Sequence, residues 1–181
     1  VFVVSGPSGA GKGTLIRGAL ARIHDLAVAV SVTTRAMRPG EVDGREYHFM
    51  SRAEFARLVE QGAFLEHAEF AGNRYGTLAA ELDRITDTGR SVILEIELQG
   101  ARNVRVVRPD SVSVFIEPPS LDELARRLRA RATDAEEEIA ERLQVARTEV
   151  AAKAEFDHVI LNDDVERATG ELVGVITAEC G

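Results

Sequence analysis

Residues 6–14 read GPSGAGKGT, set between the apolar run Val1, Phe2, Val3, Val4 and a stretch of helical character beginning near Lys12. Glycines at 6, 9 and 11 let the backbone turn sharply and aim N–H groups at phosphate oxygens, and the helix start adds the positive end of its dipole. Strand, glycine-rich turn and helix in that order are what a phosphate-binding loop needs, so a plain turn with a solvated lysine is the weaker reading. Lys12 is then expected to neutralise the β- and γ-phosphates of a nucleoside triphosphate, with a nearby hydroxyl on the shell of its Mg2+. The strict pattern has Ser or Thr directly after the lysine. Here Gly13 stands in that place and Thr14 follows, which makes Thr14 the expected hydroxyl near the metal. Gly6, Pro7, Ser8, Gly9, Ala10, Gly11, Lys12, Gly13 and Thr14 are the expected triphosphate contacts.

Outward from the loop, short runs rich in Val and Ile alternate with helical patterns, the signature of an α/β fold with a parallel sheet. Strands are predicted over 1–5, 27–31, 92–96, 112–116 and 157–161. Helices are predicted over 12–23, 51–61, 78–88, 99–107, 120–131, 135–152 and 164–178. The runs at 92–94 and 112–116 are apolar at nearly every position, as strands buried on both faces require, so helices should cover both faces of a five-stranded sheet. Two segments break the alternation. Residues 32–77 hold an arginine-rich turn, a short helix and aromatic strand-like pieces, and read as an inserted antiparallel lobe. Residues 122–150 are helical and highly charged, basic first (Arg126, Arg127, Arg129, Arg131) and acidic next (Glu136, Glu137, Glu138), which suits a solvated, mobile flap.

A chain of 181 residues is long enough for one domain with a sizeable core and too short for two independent ones. A net charge of −8 and a pI near 5.1 argue against binding nucleic acid or an acidic membrane, so any nucleotide must be held by local arginines. The single cysteine, Cys180, can form no internal disulfide, and a reducing, cytoplasmic setting is expected. No apolar run approaches the ~20 residues that span a bilayer. His24, His48, His67 and His158 lack metal-ligand spacing and a nucleophile partner.

The segment SVTTRAMRPGEVDGREYHF, residues 31–49, contains Ser31, Arg35, Arg38 and Tyr47, and a turn through Pro39-Gly40 could bring their donors round one anion. Beside a phosphate loop, this reads as a second phosphate site rather than a solvated surface. Glu66, Tyr75 and Thr77 follow in FLEHAEF and NRYGT. Guanine, unlike adenine, offers paired N–H donors on its N1 and N2 edge, and a carboxylate such as Glu66 accepts such a pair. The competing reading makes Glu66 and Glu69 ordinary exposed strand residues.

Taken in order and at their spacings, GPSGAGKGT, SVTTRAMRPGEVDGREYHF, FLEHAEF, NRYGT, ILEIELQGARNV, IEPPS and HVILNDD closely resemble the guanylate kinase family, over almost the whole chain. The resemblance implies Mg2+-dependent transfer of the ATP γ-phosphoryl group to GMP or dGMP. It also implies one domain with a core (1–31, 81–120, 151–181), a GMP-binding lobe (32–80) and a lid (121–150). Ser31, Arg35, Arg38, Tyr47 and Tyr75 would hold the GMP phosphate, while Glu66 and Thr77 would read guanine. Lys12 with the lid arginines Arg127, Arg131 and Arg142 would stabilise the transferring group, and Asn162 would pass the adenine of ATP. Arg126 and Arg129 lack that support and read as surface ion pairs.

Two departures stand out from the family pattern. At the end of the third predicted strand the chain reads Glu95-Ile96-Glu97, where the family often has Asp at the second acid. Glu97, and after it Glu95, would orient the Mg2+ water shell or the acceptor nucleotide. In the lid, residues 130–133 read ARAT where the family commonly has GRGT, and the alanines should stiffen the hinge or extend the helix. Two other readings stand beside the kinase: an inactive guanylate-kinase-like protein-binding module, and a related kinase with another acceptor such as ribose 1,5-bisphosphate. The complete phosphate loop opposes the first, and the Glu66–Thr77 pair opposes the second. The sequence leaves open whether the protein is a monomer or a homo-oligomer.

Overall fold

The Val- and Ile-rich runs become strands because β-branched side chains pack well on a pleated surface and lose little freedom there. A computed structural model describes residues 1–70, 72–130 and 136–180, the side chains of 136–138 excepted. In chain order the strands are β1 (Phe2–Ser5), β2 (Leu26–Val28), β3 (Val32–Thr33), β4 (His48–Phe49), β5 (Phe64–Phe70), β6 (Asn73–Leu78), β7 (Ser91–Glu95), β8 (Val112–Glu117) and β9 (His158–Leu161). The helices are α1 (Lys12–Leu20), α2 (Arg52–Glu60), α3 (Ala79–Thr86), α4 (Leu98–Val107), α5 (Leu121–Ala130), α6 (Glu136–Ala151) and α7 (Val165–Cys180). Five parallel strands follow the order β2-β7-β1-β8-β9, as the alternating pattern predicts, and a second sheet has the order β4-β3-β6-β5.

One predicted strand is shorter than expected. The run at 27–31 leaves the sheet after Val28: Ala29 N still donates to Ile93 O at 3.0 Å, but Val30 N turns to the Glu81 carboxylate at 3.3 Å. Composition alone does not reveal that a distant carboxylate takes over the donor.

The chain divides into two compact units. The first comprises Asp25–Leu94 and Gln99–Ser111, with Val1. Its small sheet corrects the expectation of an antiparallel lobe: β3 and β5 run antiparallel to β6, but β3 and β4 are parallel, Val32 opposite His48 and Thr33 opposite Phe49. A tight hairpin would force the antiparallel arrangement. Residues 34–47 form a long connection instead, long enough to return the chain in the same direction. Helix α2 is capped by Ser51, whose hydroxyl accepts from Glu54 N at 3.1 Å, and its buried Phe55 stacks on Phe64 with centroids 4.5 Å apart.

The second unit comprises Phe2–His24, Glu95–Leu98 and the chain from Val112 on. Every residue of β1 is buried, β8 buries Ser113 to Ile116, and α1 packs on α7, with Leu15, Ile16 and Ala19 buried on the first helix and Ala168, Leu172 and Ile176 on the second. The charged segment expected to be a solvated flap has a core of its own: Leu124 and Leu128 of α5 pack with Ile139 and Ala146 of α6, flanked by Leu121 and Leu143. High charge density concealed an apolar stripe at helical spacing. The ARAT departure at 130–133 lies outside the described residues apart from Ala130, the last residue of α5. Among the described residues, no helix is long and apolar enough to cross a membrane.

Phe115 is fully buried on β8 and its ring lies 5.2 Å from that of Phe156. Phe115→Ala is expected to cost about 3–5 kcal/mol in urea unfolding, and a loss below about 1 kcal/mol would contradict this view of the core.

Candidate functional site

The phosphate loop spans the end of β1 and the start of α1, within the second unit. Its backbone requires glycine at two points. Gly6 has φ 140° and a Cβ there would collide with the carbonyl of Ile116; Gly11 has φ 95° and a Cβ would collide with the side-chain amide of Asn162. Thr14 N and Leu15 N both donate to Gly11 O, at 3.0 and 3.2 Å, so α1 starts directly on the loop, and a helix N-terminus is a favourable place for an anion. Lys12 Nζ donates to the carbonyls of Gly6 at 2.6 Å and Pro7 at 3.1 Å, so its ammonium is held over the loop where phosphate oxygens would compete for it. Ala10 N closes the turn onto Pro7 O at 3.0 Å.

Around the loop the structure brings together most of the expected donor-side residues. Arg142 Nη1 donates to Ser8 Oγ at 3.4 Å, and Arg127 donates to Glu123 at 2.9 Å and to the Asn162 carbonyl at 3.3 Å. Glu123 also pairs with Arg126, and the two guanidinium groups hold its carboxyl down at about 2. Arg126 is thus an exposed ion-pair partner. Arg131 lies outside the described residues. Asn162 is 2% exposed, and its Nδ2 donates to Ala10 O at 2.7 Å. Here its side chain supports the loop backbone rather than facing outward to a base.

Gly13, the departure from the strict motif, faces an acid. A Cβ at this position would lie 3.6 and 3.9 Å from the two carboxylate oxygens of Glu95. The Glu95 carboxylate therefore faces Gly13 in the first turn of α1, the turn in which Thr14 Oγ1 accepts from Arg17 at 3.3 Å. A hydroxyl and a carboxylate are the hard oxygen donors that suit Mg2+ held through its waters. Glu97 instead lies in the electrostatic range of Glu149, a residue that sequence reasoning missed. Glu149 is 5% exposed on α6. Burial pushes its carboxyl up, Lys12 pulls it down, and Glu97 pushes it up. A signal was present: Ile139, Ala146 and Glu149 share the buried stripe of α6, and a carboxylate on an apolar stripe calls for a partner.

The acceptor-side residues gather in the first unit. Glu66 on β5 pairs in register with Thr77 on β6, both buried, and Ser31 Oγ lies 3.4 Å from Thr77 Oγ1. Glu66 is thus not the exposed strand residue of the competing reading. Tyr75 stands opposite Thr33 on one side and Ala68 on the other. Its ring meets that of Tyr47 edge to face, 5.9 Å between centroids. Arg35 lies over the rings of Tyr47 and Phe49, at 5.5 and 5.7 Å. Arg38 is exposed in the same loop. The acid that organises these arginines, Glu41, was not singled out in the sequence.

A parallel sheet with a phosphate loop between its first strand and first helix defines a P-loop kinase fold. A shikimate kinase from Bacteroides thetaiotaomicron shares that fold alone, with a TM-score of 0.53 at 17% identity over 97% of each chain. The chain belongs to the guanylate kinase family, whose model, described as guanylate kinase, matches residues 1–179. It is similar to a guanylate kinase of Rubrobacter xylanophilus, 56% identical over 176 residues that cover 97% of this chain and 92% of the relative. It is similar also to a solved guanylate kinase of Anaplasma phagocytophilum, with a TM-score of 0.82 and 36% identity over 99% of this chain and 85% of that one.

Glu149 gives a pH prediction. Its carboxyl is raised in the folded state, so its contribution to stability is fully present below the unfolded carboxyl value and is lost as pH rises through the folded one. Glu149→Gln is therefore expected to melt higher than the wild type at pH 8, with the gap closing below about pH 4. A variant whose deficit grows with pH would contradict the burial argument.

Proposed function

We propose that this chain transfers the γ-phosphoryl group of ATP to GMP or dGMP, releasing ADP and the guanosine diphosphate. The observation that carries the reading is the buried Glu66–Thr77 pair beside Ser31, in the same unit as Arg35, Tyr47 and Tyr75. A carboxylate accepts two neighbouring N–H donors, and the paired N1 and N2 edge of guanine supplies such a pair. Ser31, Arg35, Arg38, Tyr47 and Tyr75 then hold the acceptor phosphate. Residues 32–80 act as the acceptor lobe and 121–150 as the lid.

On the donor side, residues 6–14 cradle the ATP phosphates, and Lys12, Arg127, Arg131 and Arg142 neutralise charge on the transferring group. The acceptor phosphate oxygen is already anionic near neutral pH, so in-line attack needs no strong general base. Thr14 and Glu97, and after them Glu95, would hold Mg2+ through its waters, and the bound ion would supply further neutralisation of phosphate charge. Asn162 keeps the loop in shape from below. The setting proposed is the reducing cytoplasm, with ATP and GMP or dGMP as the small-molecule partners.

Two variants test the roles by steady-state kinetics. Lys12→Ala is expected to lower kcat by about 10^2- to 10^3-fold with little change in melting temperature. Glu66→Gln is expected to raise KM for GMP by about 10- to 100-fold while leaving KM for ATP unchanged. An active Lys12→Ala enzyme would sink the donor assignment, and equal losses for both nucleotides in Glu66→Gln would sink guanine reading.

A further inference from the structure

The loop 34–47 contains a carboxylate placed to control both arginines of the acceptor phosphate site. Glu41 Oε1 accepts from Arg35 Nη2 at 2.7 Å, and Oε2 accepts from Arg35 Nη1 at 3.1 Å and from Arg38 N at 2.7 Å. Glu41 N returns a hydrogen bond to Arg38 O at 3.1 Å, closing the turn through Pro39 and Gly40. The pair is largely enclosed, with side-chain exposures of 12% for Arg35 and 17% for Glu41. The hydrogen bond from Arg35 holds the Glu41 carboxyl below the usual carboxylate range.

Counting donors shows what this does. A guanidinium has five N–H groups. Those of Arg35 Nη1 serve Ala36 O, at 2.7 Å, and Glu41, and one from Nη2 serves Glu41. The Nε–H and the second Nη2–H lie together on the opposite edge of the fork and have no partner among the described residues. That edge has the geometry for two parallel hydrogen bonds to a phosphate. The rings of Tyr47 and Phe49 fix the plane of the guanidinium, and Glu41 fixes its rotation within that plane. By accepting from Arg38 N the same carboxylate also sets where the second arginine leaves the backbone, while its guanidinium stays exposed.

We propose that Glu41 is a positioning residue for the acceptor phosphate: it engages one edge of Arg35 so that the other is presented ready-made, and it anchors Arg38 in the same turn. Pre-ordering removes the conformational cost that two long side chains would otherwise meet on binding. Electrostatics alone gives the opposite sign, because an anion beside an anion site weakens binding. The direction of change on removing the charge therefore separates the two effects.

The inference rests on GMP being the acceptor, so the first measurement is wild-type phosphorylation of GMP, whose absence fails that reading. With that in hand, Glu41→Gln is expected to raise KM for GMP about 10-fold, with KM for ATP and the melting temperature nearly unchanged. In an Arg35→Lys background Glu41→Gln should add clearly less than about 10-fold, because only the part that runs through Arg38 remains. Glu46→Gln, which removes a different acid of the same loop, serves as the charge control and should leave KM for GMP within about 2-fold. A KM for GMP that is unchanged or lowered in Glu41→Gln overturns the proposal. So does a parallel rise in both KM values with a lower melting temperature, which marks a merely structural acid, and so does a full 10-fold effect in the Arg35→Lys background.

Discussion

A chain of net charge −8 that binds two polyanionic nucleotides cannot rely on its overall field and must build positive potential locally. Each cation recruited for that purpose is long and flexible, and left alone it would sample many rotamers. In this structure glutamates discipline the cations. Glu41 orients Arg35, Glu123 holds Arg127 beside Arg126, and Glu149 lies in the field of Lys12. The acidic composition that argues against a nucleic-acid partner thus has a second use as an internal scaffold for these cations. Each pairing takes only part of the cation's capacity, and Arg35 shows this most clearly because its free edge can be counted.

The backbone contributes the complementary half of the binding apparatus. At the phosphate loop, positive potential comes from N–H groups at the start of α1, and the glycines are there because Ile116 and Asn162 leave no room for a Cβ. At Gly13 the Glu95 carboxylate lies at ordinary contact distance, in the same first turn of α1 that carries Thr14.

The sequence made the parallel core legible, since runs such as Val112 to Ile116 are apolar on both faces and have few alternatives. The phosphate loop was equally legible because its glycines, lysine and flanking elements must occur in one order. The parallel pairing of β3 with β4 was less so, because two-residue strands carry almost no periodic signal and their direction depends on the length of the connection. The buried stripe of α5 and α6 was hidden by the charges between its members. Glu41 went unnoticed because a glutamate is usually solvated and only three-dimensional placement reveals one that is enclosed against a cation, whereas Glu149 lay on the α6 stripe that those same charges hid.

The central claim is that the acceptor is a guanine nucleotide. Its most direct test is ADP release from ATP against a panel of GMP, dGMP, AMP, CMP and UMP, each at the same concentration. The account predicts rapid release with GMP, appreciable release with dGMP, and little with the other three. Preference for AMP, or release that does not depend on any monophosphate, would contradict it.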